Sequence, residues 1–250
     1  MTRAHLRTTM PLVFAVCTLA RPAAAQDPVT VGRPSLPPPV VGAAPERAWP
    51  TAMADSLRLL ALEHGLRLAF QEKTRRELEG AFVGDYLRSV HVPDDWDDGD
   101  SWFVNYVGHP IHGAAAGYLW RDATGVRGST QFGLSKRYWA SIGKSGAWIA
   151  GYSLQFEFGP ISEASIGNVG MTPDTRGWVD HAVTPAVGTG LMVAEDAIDR
   201  YLIRWIEDRV GNRVFRASIR MLFNPSRVLA NTAQGRLPWH RADRPLMTRR

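Results

Sequence analysis

The sequence predicts a mainly α fold, a compact multi-helix domain of close-packed helices rich in glycine and alanine, set behind a signal peptide and a proline-rich tether. Three observations carry this expectation. Apolar residues recur at helical spacing after Thr51, and small residues crowd three later blocks at 103 to 122, 136 to 158 and 179 to 222. Several prolines also stand directly behind residues that cap helices.

Residues 1 to 25 read as a secretory signal peptide: Arg3 and Arg7, a short apolar run, then the small residues Ala23, Ala24 and Ala25. The apolar part is too short to span a bilayer. An exported, periplasmic or envelope-associated protein follows. Cys17, the only cysteine, leaves with this segment, which excludes disulfides, thiolate metal sites and thiol nucleophiles in the remainder. Losing Arg3, Arg7 and Arg21 lowers the formal charge from +5 to +2. Residues 26 to 50 are proline-rich and aperiodic, the pattern of an extended linker.

The helical domain is expected over 51 to 235. "TAMADSLRLLALEHGLRLAFQEKTRRELEG" sets Leu59, Leu62, Leu66 and Phe70 at helical spacing, with Thr51 as N-cap. Glu63 with Arg67 and Glu72 with Arg76 form i,i+4 pairs. "DDWDDGD" does not fit a calcium loop: aligning Gly99 with the EF-hand glycine puts Trp96 and Asn105 where ligands belong. It reads as a solvated acidic loop, with Asp100 or Ser101 capping the next helix. Gly113 and Gly117 let a neighbouring backbone approach closely. His109-Pro110 marks a helix start or a kink, and Thr184-Pro185 and Asn224-Pro225 mark two further starts. The stretch "GSTQFGLSKRYWASIGKSGAWIAGYSLQFEFG" has the composition of outer-membrane strands, but its alternation is not sustained and its neighbours are helical.

Residues 200 to 250 hold twelve arginines and no lysine against Glu207, Asp208 and Asp243, and 236 to 250 read as a basic tail. On an exported protein such an end suits anionic lipid rather than nucleic acid.

Chemistry concentrates in polar residues set among apolar ones. His109, His112, Glu157, Asp180 and Glu195 admit two functional readings beside a purely structural one. Two histidines and a carboxylate form a metal site, and a histidine oriented by an acid forms a general acid/base pair. Neither HExxH, GxSxG nor a repeated ExxH occurs. Interhelical hydrogen bonding in a close-packed bundle needs the same residues.

At these positions the chain resembles the bacterial envelope proteins grouped as domain of unknown function 3943. The resemblance lies in "NYVGHP" with Asn105, His109 and Pro110, then Gly113 and Arg121. It runs on through "SLQFE" at Glu157, "SIGN" at 165 to 168, and "DHAVTPAVGTGLMVAED" with Asp180, Thr184, Gly188, Gly190 and Glu195. "NPSR" at Asn224 ends it. His112 and Phe156 depart from the pattern, and "VGMTPDTRGW" resembles an insertion. The resemblance implies an exported helical domain with a polar cluster of Asn105, His109, Arg121, Glu157, Asp180, Thr184 and Glu195. It implies no activity. The expected function is an envelope structural or lipid-interacting domain with no cofactor and no metal. The alternative is a hydrolase or transferase on an envelope lipid or glycan, with His109 as acid/base, Glu157 or Asp180 orienting it, and Arg121 available to an anionic group.

Overall fold

The computed structural model describes residues 45–70, 72–78, 81–90, 94–125, 131–165 and 177–246. The signal peptide and most of the tether lie outside these residues. The first helix, α1 (Pro45–Phe70), starts ahead of the expected cap at Thr51, so 45 to 50 belong to the helix and not to a linker. Pro50 removes one backbone donor in the second turn. Compensation comes from packing: Ala48 is buried, and the Trp49 ring meets Trp120 and Trp148 edge-on at 4.9 and 5.5 Å.

The buried face of α1 also differs from the expected leucine stripe. Leu59, Leu60, Asp55, Ser56 and His64 are inside, whereas Leu66 and Phe70 are exposed. Two short helices follow, α2 (Glu72–Glu77) and α3 (Phe82–Ser89).

A π-helical turn, Val104–Gly108, leads without interruption into α4 (His109–Ala123). The His109 amide reaches back five residues to the Val104 carbonyl, and Pro110, which has no amide to offer, sits at the start of the regular helix. Both expectations for His109-Pro110 are thus partly met: a helix start within a longer helical run.

Twelve of the fifteen residues of α4 are buried. Helix α4 is the central element, with α1, α5 (Lys136–Phe158), α6 (Val179–Ile198) and α9 (Pro225–Ala233) packed against it. Small residues permit this. A Cβ on Gly113 would lie 2.8 Å from Thr184 Cγ2, and one on Gly117 would lie 2.8 Å from Met192 Sδ. Residues 136 to 158 of the stretch compatible with barrel strands form α5, capped by the Ser135 hydroxyl accepting from the Tyr138 amide.

Helix α6 begins two turns before the expected Thr184-Pro185 start, with Pro185 inside it. The earlier start is anchored by the Val179 amide donating to the Trp96 carbonyl and by burial of Val179, Asp180 and Val183. A second π turn, Asp199–Ile203, continues into α7 (Arg204–Glu207), followed by α8 (Arg213–Phe223) and α9. No strand occurs among the described residues, where one isolated bridge joins Asp95 to Gly177. Leu59, Tyr118, Leu119, Tyr138, Phe156 and Met192 form the centre of the apolar core. The fold is mainly α, as the sequence predicts.

Candidate functional site: a buried histidine and carboxylate cluster

Three helix ends meet at one point. His109 opens α4, Glu157 lies in the last turn of α5 and Asp180 in the first turn of α6. His109 Nε2 is 3.4 Å from Asp180 Oδ2, and Nδ1 is 3.8 Å from Glu157 Oε1. One ligand atom from each of the three falls within 4.8 Å of the others. All three residues are 3 to 4 % exposed. His109, Glu157 and Asp180 are therefore together, as expected, but sealed from solvent.

The surroundings are more acidic than the sequence suggested. Asp98, expected in a solvated loop, is buried and accepts from Asn105 Nδ2 at 2.7 Å, and its charge adds to the raising of Asp180. Folding this loop inward lets the Asp95 and Trp96 carbonyls tie it to the start of α6. Arg67 points inward, paired with Glu163 and 3.5 Å from Asp100, rather than standing on the surface. Glu63 likewise turns in: it accepts from the Tyr152 hydroxyl at 2.7 Å and lies 3.8 Å from His112 Nδ1. His109 and His112 rings are 4.8 Å apart.

Desolvation dominates the electrostatics. Burial pushes His109 down to about 3 and His64 down to about 4, with the Arg67 charge adding to both. Burial pushes Glu63 up to about 8, opposed by the Tyr152 hydrogen bond and Arg67. Glu157 and Asp180 are also raised, by burial first; Arg67 opposes the shift of Glu157, and the neighbouring Glu157 adds to that of Asp180.

No family model, curated protein or solved structure matches the chain.

Arg121 and Glu195, expected in the same cluster, belong to another. Arg121 is buried and donates to Asp196 Oδ2 at 2.5 Å, while Arg227 binds the same carboxylate and the Tyr118 and Tyr138 hydroxyls donate to it. It is thus committed internally and not presented to an anionic ligand. The Glu195 carboxylate accepts the Ser226 amide at 2.9 Å and the Arg227 amide at 3.4 Å, capping α9. Asn224, the expected cap, is occupied otherwise: its Nδ2 donates to the Glu195 carbonyl and its Oδ1 accepts from Arg241. Thr184 is buried against Gly113.

The Arg-rich end is also largely an internal scaffold. Arg241 and Arg244 bind Asp199, Arg244 and Arg220 bind Glu207, and Arg204 binds Asp243. Residues 236 to 246 are consequently packed on the domain, not a free basic tail. A cavity of about 290 Å³ between these groups is lined by Asp122, Asp199, Arg200, Arg204, Arg236 and Arg241 among others, and none of His109, Glu157 or Asp180 reaches it.

Helix α8 has an inverted surface. Val214, Phe215 and Leu222 are 75, 47 and 71 % exposed, while Arg220 on the opposite face is fully buried. Tyr201, Leu202 and Trp205 of the preceding turns are exposed too, and the Arg209 guanidinium stacks over Trp205 at 4.3 Å.

Proposed function

We propose that this is an exported envelope protein whose helical domain rests on an anionic lipid surface, with the His, Glu and Asp cluster organising its interior. The supporting observation is the inverted helix α8. A soluble helix turns apolar residues in and charges out; α8 exposes Val214, Phe215 and Leu222 and buries Arg220. An apolar face flanked by arginine and tryptophan matches the chemistry of an interfacial helix. Arg209 and Arg213 are exposed beside it, and each arginine near an anionic surface contributes about 1 kcal/mol. No helix among the described residues is long and apolar enough to cross a membrane, so this reading has the domain lying on the bilayer.

The hydrolase or transferase reading has its groups in reach of one another. Their burial, however, leaves a lipid or glycan no approach to His109.

Flotation with vesicles tests the proposal. Binding is expected to phosphatidylglycerol-containing vesicles, to weaken with salt, and to be lost on replacing Phe215 and Leu222 by aspartate. Equal recovery of wild type and the double variant, or equal binding to pure phosphatidylcholine, would sink it.

A further inference from the structure

We propose that His109, Glu157 and Asp180 form a binding site for one first-row divalent cation such as zinc, manganese or iron(II). The spacing is the first argument. The closest imidazole to carboxylate distances, 3.4 and 3.8 Å, exceed the 2.7 to 3.2 Å of good hydrogen bonds. These two distances run from opposite ring nitrogens, only one of which can face a given ion; the relevant spacing is that one atom from each of the three residues lies within 4.8 Å of the others, room for an ion whose tetrahedral ligands at 2.0 to 2.1 Å lie about 3.3 Å apart.

Unpartnered polar atoms are the second. His109 Nδ1, Glu157 Oε1 and Asp180 Oδ1 are all buried and make no hydrogen bond to the protein. Buried polar atoms are almost always satisfied, and three at one point call for a shared partner.

Charge is the third. Among the described residues, Glu63, Asp98, Asp100, Glu157, Glu163 and Asp180 gather around one guanidinium, Arg67, which is already paired with Glu163. Burying so many acids near one cation is unfavourable without further positive charge. Two carboxylates and a neutral imidazole bring a divalent ion to net neutrality, and nitrogen with oxygen donors suits this class of metal.

His109 heads a second set with Asp100 and Glu163. The set with Glu157 and Asp180 is preferred because Asp100 is partly exposed and Glu163 is engaged by Arg67. Asp100 and Glu163 then serve as outer carboxylates, the partners that orient metal-bound histidines. Because the ion would sit where the ends of α4, α5 and α6 converge, and away from solvent, its role is to fasten those three ends together. This site does not rest on lipid binding.

The test uses the purified protein, stripped with chelator and titrated by calorimetry with zinc and with manganese separately. One ion per chain is expected. His109→Gln and Asp180→Asn should each weaken it at least about 100-fold, while the exposed-acid control Asp94→Asn leaves it unchanged. Pulsed electron paramagnetic resonance of the manganese-loaded wild type needs no variant and should show coupling to one imidazole nitrogen. The proposal is overturned by absence of stoichiometric binding, by absence of nitrogen coupling, or by folded variants that bind as wild type. Loss in Glu163→Gln with retention in Asp180→Asn would overturn the ligand assignment.

Discussion

The Glu195 carboxylate accepts the Ser226 amide at 2.9 Å, so a side chain from the last turn of α6 caps the start of α9. It stands where Asn224 would ordinarily cap α9, and it ties α6 to α9 beside the buried Arg121, Asp196 and Arg227 group. Glu195→Ala strands two buried amides and should cost about 2 to 3 kcal/mol, whereas Glu195→Gln, which keeps an acceptor oxygen, should cost about 1 kcal/mol. Urea unfolding followed by circular dichroism reads both; equal losses would contradict the capping role.

Glycines on α4 and elsewhere should respond with opposite signs. Gly113→Ala places a methyl 2.8 Å from Thr184 Cγ2 and 3.0 Å from the Thr184 backbone oxygen, which should destabilise by about 1 to 3 kcal/mol. Gly143, Gly151 and Gly190 have open space around the same position, and alanine at any of them should stabilise by about 0.5 to 1 kcal/mol. Thermal melts of the four variants decide it.

Acid should loosen the C-terminal half through Asp196 and Asp199. Burial alone would raise both carboxyls, but Arg227 and Arg121 around Asp196, and Arg227, Arg241 and Arg244 around Asp199, hold them below the usual range. A folded-state pKa below the unfolded value means stability that is present above about pH 4 and drains away as pH falls through the folded value. Unfolding free energy measured downward from pH 6 should therefore decline below about pH 4, and the Asp196→Asn variant should decline less steeply.

Arg220 uses its whole guanidinium: Nε donates to Glu207 at 2.5 Å, Nη1 to the Trp239 carbonyl at 3.0 Å and Nη2 to the Arg244 carbonyl at 2.9 Å. Lysine cannot reproduce this fork. Arg220→Lys should lower the melting temperature and open the 239 to 244 segment to trypsin at Arg241, followed by mass spectrometry of the fragments. An unchanged digestion pattern would mean the segment is held by other contacts.

The convergence of His109, Glu157 and Asp180 was legible because each is a polar residue in an apolar, small-residue context. The acids that join them were not. Glu63 and Arg67 keep the same four-residue spacing whether the pair faces water or the interior, so sequence could not tell which. Asp98 lies in a run that looks solvated, and only the bridge from Asp95 to Gly177 and the bond to Asn105 fold it in. The single expected polar cluster divided in two for a reason of length. Twelve residues of helix separate His109 from Arg121, about 18 Å of rise, so the two ends of α4 serve different neighbourhoods. Likewise the helix-start signal of Thr184-Pro185 was overridden because burial of Val179 and Asp180 carries α6 further back.

The pairing of Arg241 and Arg244 with Asp199 and Glu207 also fixes an order of events. As the chain emerges, whether from a ribosome or through a translocation pore, the two acids appear some forty residues before the guanidiniums that neutralise them. Until residues 241 to 244 arrive, Asp199 has, among the described residues, only Arg227 beside it and Glu207 only Arg216 and Arg220. The last ion pairs of the domain thus depend on its C-terminal residues, and a chain shortened before Arg241 should be less stable, with Asp199 left to Arg227 alone.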